Sequence, residues 1–179
     1  MHMGIGWGRW IPVVAVAVVC VPVALVFVAL RARRNGWKYS LAESAVVLGP
    51  IPWVWMILTP LHQPREFLWN PIDEAVTGVG ERPVFFTVQM LANLLPFATL
   101  GAGLPVRWPV PLWAVGTFAA LFSATLEFLQ YALYLGRTAS VADVLLNTSG
   151  AILAALLTRP WWRTRAGAPT PAAGTVGPR

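Results

Sequence analysis

Between Glu127 and Asn147 a greasy chain places two carboxylates, a guanidinium and two side-chain amides: Glu127, Gln130, Arg137, Asp143 and Asn147. Their types suit recognition of polar groups. A guanidinium holds an anionic group such as phosphate. Carboxylates and amides hydrogen-bond an amine or a sugar, and a carboxylate such as Glu127 is a candidate general acid/base. Helical spacing puts them on faces: Ser123, Glu127, Gln130 and Tyr134 follow i, i+4, i+7, i+11, while Asp143, Asn147 and Gly150 follow i, i+4, i+7. Other chemistries lack their residues. His2 and His62 are the only histidines, so no histidine triad or histidine zinc site is available. Cys20 is the only cysteine, which excludes an internal disulfide and a cysteine zinc cage. The Gly4-Ile5-Gly6-Trp7-Gly8 run lacks the strand a phosphate-cradling loop follows. No metal and no cofactor are expected.

The elements that carry these residues belong in a membrane. The chain has 179 residues, 57% of them hydrophobic and 11% charged, with mean hydropathy +0.64. Soluble domains carry about 25% charged residues. The net charge of +6 does not indicate nucleic acid, because the basic residues fall in short clusters between apolar runs. Five membrane segments are predicted, over about 11–30, 41–61, 84–104, 109–134 and 141–158. The third contains Gln89, Asn93 and Pro96, which suits a broken or re-entrant helix. The expected fold is an all-α, multi-pass helical bundle in one domain, residues 1–165, followed by a disordered Pro/Gly/Ala-rich tail, 166–179.

Charge sets the expected orientation. Arg31, Arg33, Arg34 and Lys38 follow the first segment, Arg107 follows the third, and Arg159, Arg163 and Arg165 follow the fifth. Glu66, Asp73, Glu74 and Glu81 outnumber Arg65 and Arg82 in the 62–83 loop. These biases put the amino terminus and that loop outside, and the carboxyl terminus in the cytoplasm. Trp7, Trp10, Trp37, Trp69, Trp108, Trp161 and Trp162 lie where an aromatic belt would, whereas Trp53, Trp55 and Trp113 read as packing residues.

On this topology segments four and five form an antiparallel hairpin with its tip near Arg137. Equal-depth residues then have numbers with a constant sum, which pairs Glu127 with Asn147 and Gln130 with Asp143. Gln89 should arrive at a similar depth, and Asn93 a turn deeper. The result is an outward-facing polar pocket, about two turns below the surface, with one more negative than positive charge unless Arg65 or Arg82 folds over it. Plainer roles compete. Ser140-x-x-Asp143 is a capping box. Gln130, Asn147 and Asn93 suit interhelical hydrogen bonding, Arg137 suits a loop tip, and Gly150-xxx-Ala154 with Ala151-xxx-Ala155 suits close packing. Glu127 fits a plain role least, since a charge at the centre of a membrane helix costs roughly 2.5–3.5 kcal/mol.

The run Glu127-x-x-Gln130, Arg137, Asp143-x-x-x-Asn147-x-x-Gly150, preceded by Asn93-x-x-x-Phe97-x-x-x-Gly101, resembles the VanZ-like family over roughly 89–158. Two positions depart from it. Thr99 stands where the family has proline, although Pro96 lies a turn earlier, and Ser140 stands where many members have a second aspartate. Trp69-Asn70-Pro71 is a further, weaker match. The resemblance implies a multi-pass protein of the bacterial plasma membrane, in a family whose founding member is associated with resistance to the lipid-tailed glycopeptide teicoplanin. It is expected to bind a membrane lipid, a lipid-linked envelope component or a lipoglycopeptide through Glu127, Gln130, Arg137, Asp143, Asn147 and Asn93. The alternatives are a membrane enzyme on a lipid-linked substrate, with Glu127 as acid/base, or a small transporter.

Overall fold

A computed structural model describes residues 11–61, 64–81 and 83–162. The expectations for Trp7, Trp10, Arg82, Arg163, Arg165 and the tail lie outside them. The helices follow the apolar runs. Helix α1, Ile11–Asn35, continues past the expected end through its arginines and stops where Gly36 takes φ 78°. The second segment is two helices, α2 (Trp37–Leu48) and α3 (Ile51–Leu58), interrupted at Gly49-Pro50. The third is also broken. Helix α5, Pro83–Leu94, and α6, Ala98–Arg107, are separated at Leu95-Pro96-Phe97, where the proline removes an N–H and crowds the preceding turn. Helix α7 spans Leu112–Ala132 and α8 spans Val141–Leu157. Among the described residues, four stretches are long and apolar enough to cross a membrane: Val14–Asn35, Trp37–Leu58, Phe86–Arg107 and Leu112–Ala132. Helix α8 is apolar and has 17 residues, the lower end of the spanning range of about 17–25.

The 62–83 region is more than a loop. It holds strand β1, Glu66–Leu68, and helix α4, Pro71–Glu81. The start of α4 is locally encoded: Asn70 Oδ1 accepts the Ile72 N–H at 3.0 Å, Pro71 occupies the first turn, and Asp73 and Glu74 face the helix dipole. Strand β1 pairs in parallel with β2, Thr138–Ser140, in the α7–α8 connection.

Small residues set the helix contacts. A Cβ on Gly103 would stand 2.5 Å from the Ala42 carbonyl oxygen, and one on Gly101 2.0 Å from that of Ala151. Thus α2 lies on α6, and α6 on α8, at backbone distance. One on Gly150 would stand 2.0 Å from the Leu94 carbonyl oxygen, so the end of α5 also rests on α8. Phe97, Leu100, Val115, Ala119, Leu126, Ala151 and Ala155 form the core. Helix α1 is peripheral, and its exposed valines and leucines make a lipid-facing surface. Trp55 and Trp113, expected as packing residues, are 56% and 73% exposed and point outward instead. Lipid accommodates them as readily as a core does.

The helix ends sort into two groups. At one end, Glu43 of α2 bonds Arg31 of α1 at 2.6 Å and Arg107 of α6 at 3.2 Å. The end of α8 joins them there, because Thr158 Oγ1 donates to the Ala102 carbonyl at 3.1 Å. The β1–β2 pair lies where α7 ends and α8 begins.

Candidate functional site

The β2 end gathers the polar residues. Glu127, buried on α7, accepts hydrogen bonds at Oε2 from Gln130 Nε2 and, at 3.0 Å, from the Ser140 backbone N–H. Gln130 Nε2 also donates to the Thr138 carbonyl at 3.2 Å, tying α7 to β2. Ser140 caps α8: its Oγ accepts the Ala142 N–H at 2.9 Å and donates to Glu74 Oε2 of α4. The expected capping box is therefore half formed. Its return bond, from the third-residue acid to the cap N–H, is replaced by Glu127, which frees Asp143 to accept from Asn93 Nδ2 of α5.

Arg137 donates from Nε to the Ile57 carbonyl at 3.1 Å and from Nη2 to the Met56 carbonyl at 2.8 Å. Those carbonyls lie in the last turn of α3, where that of Met56 also accepts the Thr59 N–H at 3.3 Å, so the guanidinium acts as a tether for the α3 terminus. It also lies within electrostatic range of Glu127 and Asp143. Asn147 is deeper. Its Nδ2 donates to Ser123 Oγ at 2.9 Å, while its buried Oδ1 has no partner among the described residues.

The structure thus brings Glu127, Gln130, Asp143 and Asn93 together, sets Arg137 beside them, and puts Asn147 a turn below. The depth pairing expected from the sequence is off by one turn: Asn147 faces Ser123, not Glu127. The hairpin is not symmetric. Leu133–Gly136 forms a turn in which Tyr134 and Gly136 take φ 55° and 62°, and residues 138–140 are extended. An extended residue advances about 3.3 Å against about 1.5 Å in a helix, so α8 starts deeper than two equal helical arms require. Gln89 is exposed, and Asn93, one turn later on α5, occupies the place expected for it. Arg65 does not compensate the acids. It stacks over the rings of Tyr131 and Tyr134, at 4.2 and 4.0 Å from their centroids.

Glu74 is the residue that sequence reasoning missed. Its signal was the helix start at Asn70-Pro71, which places Glu74 in the first turn of α4. The region beside Arg137 therefore holds three carboxylates, Glu74, Glu127 and Asp143, with Glu74 in electrostatic range of Asp143. Such a site is rich in acceptors and suits a ligand that brings donors. Among the described residues no group of histidine, cysteine, aspartate and glutamate side chains is arranged to hold a metal ion.

Of the two departures from the family pattern, the one at Ser140 has a local explanation and the one at Thr99 has none. Ser140 gives the Glu74 carboxylate a donor where an aspartate would oppose it. Thr99 lies against Gly49, where a glycine Cβ would be 2.4 Å from Thr99 Oγ1, and that buried hydroxyl has no partner among the described residues. No curated protein and no solved structure matches the chain. A family does: VanZ/LLP1, over residues 15–163, well beyond the stretch that carries the polar motifs. The protein is a member of the VanZ-like family.

Proposed function

We propose that this VanZ-like protein modulates the bacterial cell envelope by holding a lipid, a lipid-linked wall component or a teicoplanin-type lipoglycopeptide at the Glu74–Glu127–Asp143 cluster, on the outer side of the plasma membrane. The observation that carries the reading is the chain of bonds from Gln130 through Glu127 and Ser140 to Glu74, with the Asp143–Asn93 bond beside it. Side chains from α4, α5, α7 and α8 converge there in a protein with few charges to spend. The excess of acceptors favours ammonium, hydroxyl or amide donors on the ligand, with Arg137 near enough to meet an anionic group. The basic residues at the opposite end support an outward orientation for this one.

The catalytic alternative uses Glu127 as acid/base. Its commitment to Gln130 and to the Ser140 N–H favours binding instead. A transport path has less support, since the buried residues of the far halves of α7 and α8 include Val115, Gly116, Ala119, Ala151 and Ala155.

The test is teicoplanin susceptibility, with vancomycin as comparison, in a sensitive Gram-positive host. The host expresses wild type or Glu127→Gln at matched membrane levels. Wild type is expected to protect selectively against teicoplanin, and the variant is not. Equal protection by both would remove the cluster from the mechanism. Protection by neither would remove the antibiotic reading.

A further inference from the structure

A second site lies at the opposite end of the bundle and does not depend on the acidic cluster. Between α1 and α2 runs a groove of about 280 Å³, walled by Ala24, Leu25 and Val28 on one side and Trp37 and Leu41 on the other. Lys38, the only lysine in the chain, lines the groove beside Trp37, with its Nζ 5.5 Å from the centroid of the Tyr39 ring. Glu43 is the only acid before Glu66, and it is engaged by Arg31 and Arg107. Nothing acidic on these two helices is left to balance Lys38, Arg33 and Arg34. The first-turn N–H groups of α2 lie at the same end, with no side chain capping them.

We propose that this groove binds an anionic phospholipid, with its phosphate on Lys38 and the upper part of one acyl chain between α1 and α2. The shape and the charge agree on that occupant. The walls are apolar over roughly 9 Å of helix from Lys38 to Ser44, so a hydrocarbon chain fills them without unmet polar groups. The unbalanced positive charge at the mouth selects an anionic headgroup over a zwitterionic one. Trp37 beside Lys38 is two-thirds exposed, as suits an indole at the level of the headgroups. Arg33 supplies an internal comparison. It is exposed, like Lys38, but five residues beyond Val28 it points roughly 140° away around α1.

The experiment is lipid retention by the purified full-length chain, read by native mass spectrometry. Detergent micelles are doped with phosphatidylglycerol or with phosphatidylcholine of the same acyl chains. Wild type is expected to retain phosphatidylglycerol roughly fivefold better, the effect of about one basic residue near a membrane surface. Lys38→Gln should remove that preference, and Arg33→Gln should leave most of it. Leu41→Trp, which fills the groove from an exposed position, should lower retention of both lipids. Equal retention of the two lipids by wild type overturns the proposal. So does a preference that survives Lys38→Gln, or one that Arg33→Gln removes equally, which would mean a diffuse basic surface. Retention unchanged in Leu41→Trp overturns the groove as the acyl-chain site.

Discussion

Helices α7 and α8 are held together by different chemistry at their two ends. Near β2 they are joined by side-chain hydrogen bonds: Glu127 to the α8 cap, Gln130 to Thr138, and Asn147 to Ser123. Toward the basic end the contacts are apolar: a Cβ on Gly116 of α7 would stand 3.2 Å from Ile152 Cδ1 of α8, Ala119 lies in the core with Ala151 and Ala155, and Ala151 meets Gly101 of α6 at backbone distance. The difference shows how a membrane protein separates stability from site. Lipid competes for apolar contacts, so close backbone packing supplies what a water-driven core would supply elsewhere. Polar residues can then be confined to one end, where each must find a partner. Arg137 illustrates the cost of that rule. Its guanidinium was expected to await a ligand, and it spends two donors on the α3 terminus.

The contrast predicts an order of effects. Gly150→Val is expected to damage the fold most, by about 3 kcal/mol or more, because the new side chain meets the Leu94 carbonyl and backbone cannot step aside cheaply. A thermal melt in detergent measures it, and a variant that melts like wild type would show the α5–α8 approach to be looser than described. Glu127→Ala comes next, at roughly 2–4 kcal/mol, since it strands the Ser140 N–H and one bond of Gln130. Glu127→Gln keeps an acceptor for Ser140 and should lose clearly less, which makes it the better variant for functional work. Ser140→Asp is expected to cost about 1–2 kcal/mol by opposing Glu74, and Glu74→Gln in the same chain should recover part of that. A double-mutant cycle reads the coupling, and simple additivity would mean that α4 does not answer to position 140. The smallest effect has the opposite sign. Thr99→Val should be neutral or stabilising by up to about 1 kcal/mol, because it removes a buried hydroxyl that has no partner.

The sequence alone determined the membrane setting, the helix-rich bundle and the stretches that become α1 to α3 and α5 to α8, because an apolar run of spanning length has few other fates. The break in the third segment was legible at Pro96, and the convergence of Glu127, Gln130 and Asp143 was legible from their spacing, whereas Asn93 stands where Gln89 was expected. Tertiary structure decided the register. The depth of α8 against α7 depends on how many residues of the connection are extended, and Tyr134 with φ 55° and the β1–β2 pairing are outcomes of the whole fold. It also decided the partners. Nothing local distinguishes an acid that completes its own helix cap from one that faces a neighbouring helix, so Asp143 could not be assigned to Asn93, nor Glu74 to Ser140, before α4 and α5 had a place. Spacing along a helix fixes which side a residue faces. Only packing among helices far apart in the chain fixes what stands opposite.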